Sequence, residues 1–156
     1  MTGLTRRALL VMLLAPPGLR AQPAPTTDEA REAREVRAVI RAQLDAWAAD
    51  DAQQAFSFAS DEIRRRFGTA QAFTAMVRDS YPAVYRPASV AFLKLERRGD
   101  RVQQAVQLTD GRGRPWLALY EMQRLDGGTW RIAGCVLSAN DGQSTQAPAT
   151  SAPAAA

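Results

Sequence analysis

The chain has 156 residues, 46% apolar and 23% charged, the proportions of one soluble globular domain with tails. It carries 20 Lys and Arg against 16 Asp and Glu, one cysteine and no histidine. Those counts exclude Ser-His and Cys-His catalysis, histidine-ligated metals, an intrachain disulfide and a cysteine zinc cluster.

Residues 1–21 read as an export signal. Arg6 and Arg7 precede the apolar run Ala8 to Ala15, Pro16, Pro17 and Gly18 break it, and Leu19-Arg20-Ala21 offers a small residue for cleavage. The run is about half the ~20 residues a membrane span requires, so no retained anchor is expected. The Arg pair also fits a twin-arginine signal, which leaves the export route open. The expectation is a periplasmic or secreted protein cut near Ala21. Without the leader, 17 basic residues face 16 acidic ones. The basic balance of the full chain is therefore no sign of a nucleic-acid partner, and no basic stripe with interleaved aromatics remains.

Residues 22–27 form a Pro-containing linker, and 28–137 hold the domain. Residues 138–156, rich in Ser, Thr, Gln, Pro and Ala, are expected to be disordered, having no large apolar side chain to bury. The first helix runs from Asp28 to Ala49, with Val36, Val39, Ile40, Leu44 and Trp47 on one stripe. Arg41 and Asp45 are spaced to pair across one turn. Asp51 is placed to cap a second helix, Ser60 a third ended by Gly68, and Thr69 a fourth carrying Phe73, Met76, Val77 and Tyr81. Pro82 and Pro87 predict extended chain around Tyr85.

The period then changes to two. Strands are predicted at Ser89–Glu96, Arg101–Thr109, Pro115–Arg124 and Trp130–Leu137, joined at Gly99-Asp100, Asp110-Gly111 and Asp126-Gly127-Gly128. Helices followed by an antiparallel meander give an α+β fold, N-terminal helices packed on a curved sheet of about four strands.

That order is similar to the nuclear transport factor 2-like superfamily of α+β cones. More closely, the chain resembles the bacterial family called domain of unknown function 4864. The matching words are Gln43-Leu44-Asp45-Ala46, Asp50-Asp51, Ala55 to Ser60, Phe67, Phe73, Met76-Val77, Tyr81 and Tyr85-Arg86-Pro87. They continue with Gln104, Trp116, Tyr120 and Gly128 to Cys135, and cover about Ile40 to Leu137. The resemblance implies the cone fold and no particular reaction. Superfamily enzymes work in the cone's pocket, several with a His that this chain lacks.

Six residues are candidates for a pocket. Gln43 and Gln104 interrupt apolar faces, so each is tied by hydrogen bonds to backbone or lines a ligand site. Asp50, beside Asp51, could supply an acid/base carboxylate, although a cap is the commoner use of such a pair. Tyr85, Trp116 and Tyr120, which form one set with Tyr81, have polar tips on apolar bodies and suit either a core or a pocket wall. Cys135 reads as buried and inert. No carboxylate cluster has metal spacing, and no metal or cofactor is expected.

Three functions compete. The first is a non-catalytic exported domain binding a small apolar molecule or a partner segment in the cone. The second is a His-free isomerase or hydrolase using Asp50 or Asp51 with Tyr85. The third is a homodimer through the sheet. A carboxylate reaching a closed, aromatic-lined pocket separates the second from the first.

Overall fold

The computed structural model describes residues 26–140; residues 1–25 and 141–156, which hold the predicted export leader, most of the predicted linker and most of the predicted tail, lie outside the described residues. Helix α1 (Thr27–Ala48) opens with a reciprocal cap. Thr26 Oγ1 accepts from the Glu29 backbone at 3.3 Å, and the Glu29 carboxylate accepts from Thr26 N at 2.8 Å. The helix thus starts one residue before the predicted Asp28. Val36, Ile40, Leu44 and Trp47 are buried along its stripe. Arg41 does not pair with Asp45; its guanidinium lies 5.3 Å from the Phe92 ring centroid.

Three short helices follow, α2 (Ala52–Ser57), α3 (Asp61–Phe67) and α4 (Ala70–Ser80). Asp51, Ser60 and Thr69 each accept a backbone N–H three residues on, as predicted. Gly68 ends α3 at φ +71°, a conformation that favours glycine. The expected extended chain around Tyr85 is instead a one-turn helix, α5 (Pro82–Tyr85). Pro82 occupies its first position, where a missing N–H costs nothing and the fixed φ suits a helix.

The sheet runs β1 (Ser89–Arg98), β2 (Arg101–Thr109), β3 (Pro115–Arg124) and β4 (Trp130–Ala139), antiparallel and in sequential order. The predicted end at Leu137 is corrected by two residues. Ser138 pairs with Leu117, Ala139 with Trp116, and Asn140 N donates to Pro115 O at 3.0 Å. Small side chains bury little, but their backbone groups still extend the ladder.

Val102, Gln104, Val106, Leu108, Ala118, Tyr120 and Met122 are buried on the helix side of the sheet. Gln103, Ala105, Gln107 and Leu119 lie on its outer face. Each edge strand carries an extra residue. In β1 the pairing jumps between Phe92 and Leu95, and in β4 Ala133 is inserted between Ile132 and Gly134. The α2–α3 connection covers the β4 edge: Ser60 N donates to Ile132 O at 2.8 Å, and Ile132 N to Phe58 O at 2.9 Å.

Candidate functional site

Between the helical layer and the β3–β4 side of the sheet lies a cavity of about 360 Å³, a size typical of small-molecule sites. Helices α1, α3 and α4 contribute Trp47, Phe67, Phe73 and Met76. The rings form a chain: Trp47 to Phe73 centroids are 5.9 Å apart, and Phe67 meets Phe73 edge-on at 5.4 Å. The sheet contributes Tyr120 and the run Ile132 to Cys135. The inserted Ala133 lets Ile132 and Cys135 both reach this wall, although an unbroken strand would turn residues 132 and 135 to opposite faces.

Polar groups on the wall are few. Gln43 is buried and gives Nε2 to the Ala55 carbonyl at 3.0 Å, so at least half of its amide ties α1 to α2. The Tyr120 hydroxyl and the Trp47 indole N–H are sealed from water and have no hydrogen-bond partner, an expense most folded proteins avoid. Burial, reinforced by the neighbouring Cys135, pushes the Tyr120 hydroxyl well above the ordinary tyrosine value. Burial raises the Cys135 thiol to about 12, so at neutral pH it is protonated and inert. No Asp or Glu lines the cavity; its single charged side chain is Arg66, exposed at the solvent side.

The sequence matches the family model described as Domain of unknown function (DUF4864) over residues 29–145. The chain belongs to the DUF4864 family. No curated protein matches it. Three solved structures are similar, all described as NTF-2-like proteins of unknown function. The one from Shewanella baltica is 13% identical, covering 72% of this chain and 97% of its own, at a TM-score of 0.50. The one from Silicibacter pomeroyi is 17% identical (71% and 98% covered, TM-score 0.49), and the one from Burkholderia xenovorans 18% identical (74% and 89% covered, TM-score 0.44). The DUF4864 domain thus has the NTF-2-like α+β fold, helices first and a four-stranded antiparallel sheet after.

Of the six predicted pocket residues, the DUF4864 cavity gathers two, Gln43 and Tyr120. The other four lie elsewhere. Gln104 serves the β1 bulge. Its Nε2 donates to the Leu93 and Ala105 carbonyls at 3.1 and 2.7 Å, and its Oε1 accepts from Arg37 Nε at 3.2 Å. A bulge leaves carbonyls out of the ladder, and a buried amide is the side chain that can reach them. Trp116 stands at the β2–β3 turn, where its Nε1 donates to Asp110 at 3.0 Å. Asp110 also accepts from the Arg112 and Arg114 backbones, and Trp116 with these donors holds its carboxyl far below the usual range.

Asp50 does not line this cavity. It is exposed, at φ +58°, and its Oδ1 accepts from Arg86 Nη2 at 2.5 Å and from the Tyr85 hydroxyl at 3.1 Å. Arg86 first, then Tyr85, holds its pKa below the usual carboxylate value, the reverse of what a general acid needs at neutral pH. Tyr85 is fixed by that bond, with its ring 6.4 Å from Trp47 and outside the cavity lining. The Asp50–Tyr85 pair is real as a contact but sits at the surface.

Sequence reasoning missed Trp47, Phe67, Phe73 and Met76 as wall residues because helical periodicity reports only that a residue faces inward. Arg66, one of three consecutive arginines on a short helix, carries no sequence signal separating it from Arg64 and Arg65. Among the described residues there is no metal-capable cluster, and no helix is long and apolar enough to cross a membrane.

Proposed function

We propose that this exported domain binds a small, largely apolar molecule in its aromatic cavity without transforming it. The carrying observation is an aromatic-walled cavity of about 360 Å³ whose charged complement is one arginine and no carboxylate. The Tyr120 hydroxyl and Trp47 N–H are closed off from the cavity, so what the wall offers a ligand is rings and apolar chains. Native mass spectrometry of the protein purified from an exporting bacterium, followed by titration of the eluted compound into wild type and Met76→Trp, which fills the cavity, tests this reading. The expected result is a retained molecule whose affinity falls in Met76→Trp while the variant still folds. Empty protein that takes up no apolar compound overturns it, as does chemical turnover of the bound molecule.

A second reading concerns assembly. Val136 is 65% exposed on the outer face of the sheet, opposite Leu119, which itself pairs with Ala105. An apolar strip there favours a homodimer through the sheet. Light scattering of wild type and Val136→Asp decides it: a dimeric mass in the first and a monomeric mass in the second are expected, and a monomeric wild type rejects it.

A further inference from the structure

Resting on the cavity-binding reading, we propose that Arg66 makes the cavity selective for an amphipathic anion, an apolar chain or ring ending in a carboxylate. Arg66 sits in the last turn of α3, before the Gly68 stop. Its neighbour Arg64 is taken by Asp61. Arg66 makes no ion pair among the described residues and lies over the Phe67 ring, 5.9 Å from its centroid. Phe67 belongs to the cavity wall, so the aromatic ring leads from the cationic mouth to the apolar interior.

The chemistry of the wall fixes the orientation. A carboxylate taken inward would lose its hydration and meet no cation, a loss no apolar contact offsets. Held at the mouth, it stays partly hydrated and meets a guanidinium that can donate two parallel N–H bonds. The apolar remainder then lies along Phe73, Met76 and Val77. A cationic ligand is disfavoured, since the lining offers it no acidic partner.

The test compares two probes of one chain length, dodecanoate and dodecan-1-ol, titrated calorimetrically below their aggregation limits into the full-length protein and Arg66→Gln. Arg66 is exposed, so the variant should keep the wild-type thermal midpoint. Wild type should prefer dodecanoate by about twofold to fivefold, the worth of a solvent-exposed ion pair. Arg66→Gln should lose that preference while binding the alcohol within about twofold of wild type, and added salt should shrink the preference in wild type alone. Equal binding of both probes by wild type, or an unchanged preference in Arg66→Gln, overturns the role of Arg66 and leaves the cavity reading standing. Binding of neither probe by wild type overturns both.

Discussion

Tyr120 and Cys135 face each other across β3 and β4, and both reach the cavity wall. The contact exists because Ala133 is an extra residue in β4. Ile132 pairs with Met122, Gly134 with Glu121, and Cys135 is thereby returned to the inner face. The result is two neutral, weakly acidic groups side by side where water does not reach the tyrosine hydroxyl.

That placement predicts alkaline sensitivity. The Cys135 thiol titrates at about 12 against an ordinary 9.0, and Tyr120 is also raised. Well below pH 9 folded and unfolded chains hold these protons equally. Between pH 9 and about 12 the unfolded chain releases the thiol proton while the folded chain keeps it. Stability therefore falls as pH rises through that window. Thermal midpoints of wild type and Cys135→Ala from pH 8 to 11 should diverge, with the variant losing less. At pH 8 alkylation of native Cys135 should be far slower than in denaturant. Equal alkylation rates would show an accessible thiolate.

Gln104→Leu should cost about 1–3 kcal/mol, because Arg37 and the bulge carbonyls lose a buried partner. Probe binding in the cavity should be unchanged, since Gln104 does not line it. A stable variant with altered binding would contradict both placements.

Trp130 is 3% exposed, and its Nε1 donates to Glu35 at 3.2 Å, joining the start of β4 to α1. Trp130→Ala should cost about 3–5 kcal/mol in denaturant unfolding through the cavity left behind. A loss under 1 kcal/mol would mean the helix layer closes over the gap.

These cases show what the sequence could and could not carry. The Gly-Asp turn at Gly99, the caps at Asp51, Ser60 and Thr69, and the alternation of β2 were readable because each depends on chemistry within a few residues. The one-turn helix at Pro82 was misread because proline suits both an extended chain and a first helical position. The bulges were invisible, since an extra residue shows only against its partner strand. Gln104 stood out in the sequence for a reason that proved structural, and Arg66 did not stand out at all.

Export and the chain ends give a fourth expectation. Cleavage near Ala21 should leave a mature protein beginning at or near Gln22, read by N-terminal sequencing of the periplasmic or culture fraction. An intact Met1 there would end the export proposal. Truncation after Asn140 should leave the thermal midpoint unchanged, whereas truncation after Leu137 should lower it by removing the Ser138 and Ala139 pairings with β3. Equal midpoints for the two truncations would show that the last rungs add nothing.

The inserted residue in β4 supplies the remaining prediction. Deleting Ala133 joins Ile132 directly to Gly134, and the pairs Met122–Ile132, Glu121–Gly134 and Tyr120–Cys135 can all persist. Faces and register are preserved, so the chain should fold, with the ladder regular where it was interrupted. The bulge's local bend and added twist should disappear with the residue. Because Ala133 is itself part of the wall, the flattened strand should narrow the cavity between Cys135 and the α4 side chains. Dodecanoate and dodecan-1-ol should therefore both bind at least tenfold more weakly, without the acid-selective loss expected of Arg66→Gln. The paired measurement is thermal midpoint and calorimetric affinity for the deletion beside wild type. A folded deletion variant that binds both probes as wild type does would show that the bulge serves the edge of the sheet and not the cavity.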